Sequence, residues 1–143
     1  QSLHRPAIKM YQFEFTTTKF IEIEVGGADT ERDAKTIAAS IANSPLVKTA
    51  LAAGDANWGR VVMAAGKAGV PFDQSLLDIW FGDHQVALGG GRAPGYSEAK
   101  ASAVCASEEI QIRLRVGSGP ASARVYTCDL THAYVDINGT YRT

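Results

Sequence analysis

Lys19-Phe20-Ile21-Glu22-Ile23-Glu24-Val25 is the stretch on which the fold turns. Apolar and polar residues alternate through it, with Ile21, Ile23 and Val25 on one face. A period of two marks a half-buried strand, and Gly26-Gly27 is expected to end it. Beyond the glycines the period changes. Thr30 stands where its hydroxyl can accept from a free backbone N–H of a following helix. Ala34, Ile37, Ala38 and Ile41 then recur at i, i+3, i+4 and i+7, the apolar stripe of a helix lying on a core. Ser44-Pro45 starts a second helix, with Ser as cap and Pro at the first helical position, and Gly54 breaks it. Asp55 or Asn57 caps a third helix, which Gly69 closes and Pro71 follows.

Further along, the period of two returns. Leu77, Ile79 and Phe81 alternate as a strand, Gly82-Asp83 turns, and His84 to Leu88 comes back as its hairpin partner. Gly89-Gly90-Gly91 through Pro94-Gly95 reads as a loose loop. Ser97 caps a helix that reaches Cys105. Ile110, Ile112, Leu114 and Val116 form a strand, Gly117 to Pro120 a turn, and Ala121 to Cys128 the other arm of an expected hairpin. Thr131 to Ile137 reads as a short helix or an extended piece, and residues 1–17 show no clean period. Hairpins together with grouped helices predict an α+β domain, a layered mixed sheet with helices, rather than a repeating βαβ fold.

A chain of 143 residues is one domain and can bury roughly two thirds of its unfolded surface. Its net charge is −1, with acids and bases interspersed. No basic stripe offers to neutralise a phosphate backbone, which argues against nucleic acid. No apolar run is long enough to span a membrane, and no secretory signal is visible. Cys105 and Cys128 form no CxxC pair and read as free thiols of a reducing, cytoplasmic compartment. Gln1 is not Met, so the start of the protein is expected elsewhere.

Asp55-Ala56-Asn57-Trp58-Gly59-Arg60 is the most specified loop. As a site it would offer a helix N-terminus to a carboxylate. As architecture, Asp55 or Asn57 is a cap, Trp58 fills a core pocket, Gly59 allows close packing and Arg60 pairs with an acid; the architectural reading is preferred. Gly66-Lys67 fails as a phosphate loop, because Gly59 is misplaced and Ala68 stands where Ser or Thr is needed. Gly89 to Gly91 lies in the wrong context for a dinucleotide fingerprint. His4, His84 and His132 lack zinc-ligand spacing, so no metal is expected, and His84 reads as an exposed residue of a polar strand face. Ser97, His132 and Asp129 have no nucleophile elbow to support them as a triad. Tyr134, Ile137 and Tyr141 could dock the chain end.

Thr18-Lys19-Phe20, Ala42 to Ala50, Asp55 to Gly66, Cys128-Asp129-Leu130-Thr131, Tyr134-Val135, Ile137-Asn138 and Tyr141-Arg142-Thr143 stand in an order and spacing that resemble one known family. It is the C-terminal, β-chain part of the glutamate N-acetyltransferase/ornithine acetyltransferase family of arginine biosynthesis. The resemblance implies the C-terminal part of that family's αβ fold over residues 18–143. It implies a precursor that cleaves itself before a Thr, which becomes the nucleophile of the β chain. That Thr takes acetyl from N-acetylornithine and passes it to glutamate, with acetyl-CoA a possible co-substrate and no other cofactor. The nucleophile is expected N-terminal to Gln1, so no catalytic residue falls in this chain. The implied partners are the α chain of the same precursor and further copies of the protein. Asn138 and Thr143 match the family's substrate-binding residues. One departure is plain: where the family has Gly-Glu-Gly-Ala-Thr-Lys, this chain has Glu14-Phe15-Thr16-Thr17-Thr18-Lys19, with Phe15 in the place of the Glu. Residues 1–17 are therefore set apart as a divergent or joined-on segment. The rival readings are a truncated or inactive paralogue serving as a binding domain, and an acetyltransferase of secondary metabolism.

Overall fold

In a computed structural model, which describes residues 19–129, one mixed six-stranded sheet is covered on one face by helices. Strand β1 spans Phe20–Ala28, and helices α1 (Glu31–Ala42), α2 (Pro45–Ala52) and α3 (Trp58–Gly66) follow it. A single 3-10 turn at Gln74–Leu76 leads to β2 (Asp78–Phe81), β3 (His84–Leu88) and the two-residue β4 (Gly91–Arg92). Helix α4 (Glu98–Cys105), β5 (Glu109–Arg115) and β6 (Ala121–Cys128) complete the described chain. The strand order is β4-β3-β2-β5-β1-β6. The α+β mixed-sheet expectation holds, and the elements begin where their caps stand. Thr30 Oγ1 accepts from Asp33 N at 3.1 Å, Ser44 Oγ from Val47 N at 3.3 Å and Ser97 Oγ from Lys100 N at 3.3 Å.

The pairing of the last two strands differs from expectation. β5 and β6 are not a hairpin; β1 lies between them, parallel to β5 and antiparallel to β6. Nor does β1 stop at Gly26. It runs through both glycines to Ala28 with an irregularity in its pairing to β6. The link from β5 to β6 crosses the end of β1 at main-chain contact. Gly119 N donates to Gly27 O at 2.9 Å, and Val116 N donates to Gly26 O at 2.9 Å. Gly27 has φ +79°, and a Cβ there would lie 2.2 Å from Gly117 O; a Cβ on Gly119 would lie 2.2 Å from Ala28 O. Glycine is thus required where two backbones touch.

β1 is also more than half buried. Ile21, Ile23 and Val25 face the helices and are fully covered. On the opposite face Phe20 stacks on Tyr126, with centroids 5.6 Å apart, and Glu22 is 2% exposed. Neighbours on both sides of a central strand cover its second face, which alternation alone cannot reveal. Glu22 accepts from Gln111 Nε2 at 3.2 Å and lies 3.5 Å from Arg124 Nε. Burial of the carboxylate is offset by these partners. Arg113 sits over the Trp80 ring, 4.7 Å from its centroid.

The loop expected from Gly89 to Gly95 is partly regular, since Gly91–Arg92 pairs with Ala87 and Leu88 of β3. Gly89 and Gly90 both have positive φ and turn the chain into that pairing. The helices pack as their stripe foretells: Ala34, Ile37, Ala38 and Ile41 of α1 are buried, and α1 lies across β1 and β6.

Gly27→Ala should cost about 2–4 kcal/mol, combining left-handed strain with forced backbone displacement. Gly91→Ala, with nothing within 4 Å of the added carbon, should stay within about 0.5 kcal/mol of the parent. Urea unfolding of both variants measures the contrast.

Candidate functional site

The most connected polar residue at one corner of the sheet is Lys19. It immediately precedes β1, and its ammonium reaches sideways to the ends of two helices. Nζ donates to Leu51 O of α2 at 2.6 Å and to Cys105 O of α4 at 2.7 Å. Both carbonyls belong to last helical turns, where intrahelical donors run out and the dipole is negative. One cation therefore satisfies two helix C-termini that converge on it. The Lys19 main chain is held as well. Its N–H donates to Asp129 Oδ1 at 3.0 Å, and Asp129 N donates back to Lys19 O at 3.3 Å. Asp129 is 2% exposed.

The loop from Asp55 to Arg60 borders this corner. Gly54 (φ +72°) ends α2, and a Cβ there would come within 3.9 Å of Lys19 Nζ. Asp55 N donates to Ala50 O at 2.8 Å, while its side chain stays exposed. Asn57, not Asp55, caps α3, with Oδ1 accepting from Arg60 N at 3.3 Å. Ala56 is buried. Three expectations need correction. Trp58 is half-buried against the core rather than sealed in a pocket. Gly59 is exposed, with only Asn57 Oδ1 near its missing Cβ. Among the described residues Arg60 pairs with no acid: its guanidinium donates to Leu46 O at 2.8 Å and lies 3.4 Å from Thr49 Oγ1. It thus ties α3 to α2. Beside it lies an open groove of about 210 Å³, lined by the half-exposed Leu46 and Met63 together with Arg60 and Lys67.

The Cys105 thiol lies at the same corner. Burial pushes its pKa up to about 11; Lys19 pulls it down and Asp55 pushes it further up. Cys105 is a free thiol, as expected. His84 departs from its reading as an exposed residue. Its Nε2 accepts from Ser97 N at 2.9 Å, and its ring lies 5.9 Å from that of Tyr96, so it fastens the start of α4. Among the described residues no group of three His, Cys, Asp or Glu could hold a metal, and no helix is long and apolar enough to cross a membrane.

Asn138 and Thr143, the expected substrate contacts, lie outside the described residues, as do Thr131 to Ile137, Glu14 and Phe15. Of the sequence candidates, the structure brings the Asp55 loop to the Lys19 corner and leaves Gly66-Lys67 and the Gly89 turn apart from it. The roles of Lys19 and Asp129 were missed. A Lys opening a strand and an Asp closing another carry no local signal until β1 and β6 are known to pair.

A family model described as "ArgJ family" matches residues 14–143. The chain is 54% identical over 141 residues to the "Arginine biosynthesis bifunctional protein ArgJ" of Bartonella quintana, covering 99% of this chain and 34% of that protein. It is 59% identical over 125 residues to the protein of the same name from Brucella suis, covering 87% of this chain and 30% of that one. The chain thus spans about a third of the length of the curated relatives it matches. Among solved structures, the arginine biosynthesis bifunctional protein argJ from Bacillus halodurans superposes with a TM-score of 0.79 at 36% identity, covering 87% of this chain and 59% of that one.

Lys19→Met should cost about 2–4 kcal/mol, since two carbonyls lose a charged donor. Trp58→Ala should cost about 1.5–3 kcal/mol, below the roughly 3–5 kcal/mol of a fully buried ring. Thermal or denaturant unfolding measures both. Cys105 should resist thiol reagents in the folded protein at pH 8, where about one thiol in a thousand is ionised, and react on unfolding. Because its folded pKa lies above the ordinary 9.0, its contribution to stability is complete below pH 9 and is lost as pH rises toward 11.

Proposed function

The chain belongs to the ArgJ family of arginine-biosynthesis enzymes, and on that premise we propose that it is the C-terminal part of an acyltransferase moving acetyl from N-acetylornithine to glutamate. The observation that carries the proposal is the family match over residues 14–143, which contains the Asp55 to Arg60 loop and the Cys128-Asp129 strand end in one continuous likeness. In this reading the reaction runs through an acetyl-Thr intermediate, and the Thr is supplied by a segment to which no residue of this chain corresponds. A covalent relay splits one acyl transfer into two easier steps. Acetyl-CoA is a possible second donor. The chain works with the α chain of its self-cleaved precursor, in a higher assembly, in the cytoplasm. Asn138 and Thr143 bind substrate: a neutral amide both donates and accepts, so it can orient an amino-acid head group without a charge clash.

What the described residues contribute is rigidity. The Lys19 corner joins the ends of α2 and α4 to β1 and β6. Catalytic groups need such support, because sub-ångström placement decides the rate.

The test is an acetyl-transfer assay from N-acetylornithine to glutamate. The full assembled protein should turn over, and the 143-residue chain alone should stay at background. Turnover by the isolated chain would refute the assignment of the nucleophile to another segment. In the full protein, Asn138→Ala should lower kcat/KM by roughly 10- to 100-fold with precursor cleavage intact. Unchanged kinetics would place Asn138 outside the site.

A further inference from the structure

The outer face of the sheet, opposite the helices, carries a gap at one rung. β1 sets Glu24 between Arg113 of β5 and Arg124 of β6, and on the next outward rung it sets Gly26 between Arg115 and Ser122. Gly26 has no side chain to fill its place, and the main chain of Gly119 and Pro120 closes the far end of the gap. The gap measures about 450 Å³, within the roughly 300–1,000 Å³ of small-molecule sites. It lies at the opposite end of β1 from Lys19, roughly 20 Å away at about 3.3 Å per residue. Gly26 differs from its neighbour Gly27. Its φ is not positive, and a Cβ there would meet nothing nearer than 3.9 Å, at Leu114 O. The main chain therefore does not require glycine at 26; what glycine leaves there is room.

Charge decides what the room suits. Arg113 and Arg115 alternate on β5, so both side chains rise from the outer face, their roots roughly 7 Å apart. Arg113 is steadied over the Trp80 ring, 4.7 Å from its centroid, and Arg115 is exposed. Among the described residues neither forms an ion pair. The nearby acids are engaged elsewhere. Glu24 lies 3.9 Å from Arg124 Nε, and Asp78, opposite Arg115, accepts from Gly89 N at 2.8 Å. A guanidinium is a flat fork that matches a carboxylate through two N–H groups. Ser122 adds a hydroxyl on the other bank. Glu24 also lines the gap. Its charge opposes the concentrated double charge of a phosphate more than two charges held apart on one carbon chain. We propose that this gap binds a small dicarboxylate, its two carboxylates clasped by Arg113 and Arg115 beside Trp80, as a site separate from the Lys19 corner.

Calorimetry on the full assembled protein tests this with three probes: succinate, its neutral diamide succinamide, and inorganic phosphate. Succinate should bind with Kd below about 1 mM, about tenfold or more tighter than phosphate, and succinamide should not bind. Gly26→Leu fills the gap and should weaken succinate about tenfold or more with the unfolding midpoint unchanged. Arg115→Gln removes an exposed charge without repacking and should weaken succinate as much; it decides the matter if Gly26→Leu does not fold. Arg32→Gln removes an equal charge from α1 and should stay within about threefold of the parent. The proposal is overturned by absence of succinate binding, by equal binding in the parent and the gap variants, or by phosphate or succinamide binding as tightly as succinate. Acetyl transfer by Gly26→Leu should keep kcat/KM within about threefold of the parent. A loss matching that of succinate would put the gap in the substrate site and overturn its separateness. Calorimetry needs no turnover, so it decides the proposal whether or not the acetyl-transfer reading stands.

Discussion

No Cβ can stand where the link from β5 to β6 crosses the end of β1, and the sheet order depends on that bare contact. Gly27, Gly117 and Gly119 let two backbones meet at hydrogen-bonding distance. The chain can then leave β5, pass the end of β1 and return on its far side. With side chains at these positions the link would be held away, and Ala123, Arg124 and Tyr126 of β6 would lose their register on Val25, Glu24 and Glu22 of β1. The strand thus enclosed becomes the centre of the fold. Its inner residues meet α1, and its outer face gains the cover that Phe20 and Glu22 need.

Local chemistry was legible in the sequence because its causes are local. Thr30, Ser44, Asn57 and Ser97 announce helix starts through one hydroxyl or amide each. The stripe from Ala34 to Ile41 announces a buried face, and Ile110, Ile112 and Leu114 announce theirs. Partnership was not legible. Alternation states which face of a strand is buried and nothing about its neighbours, so β5 and β6 read as a hairpin until β1 was found between them. Gly89-Gly90-Gly91 read as a loop because glycine weakens every strand signal, although Gly91 carries a ladder pair.

The candidate site was legible in the same uneven way. The Asp55 to Arg60 loop stood out by composition, and the structure gives three of its residues an architectural task. Asn57 caps, Ala56 is buried, and Arg60 spends its guanidinium on the α2 main chain. Trp58 was read as core because it is large and flanked by apolar residues, yet at the first position of α3 it is only half-buried against that core. Lys19 escaped notice for the opposite reason. A lysine at a strand start looks solvated, and only the convergence of two helix ends makes it the counter-charge for both.

β1 is the first described strand, and Gln111, the first partner to reach its buried Glu22 side chain, lies 89 residues later. Such pairing is non-local, and its loop-closure entropy falls before any ladder bond returns it. During synthesis at roughly 5–20 residues per second, β1 would wait roughly 4–18 seconds for that partner to be made. Over this interval Ile21, Ile23 and Val25 have only α1 and its neighbours to cover them. The apolar stripe of α1 is then a shelter for a nascent strand as well as one layer of the finished core.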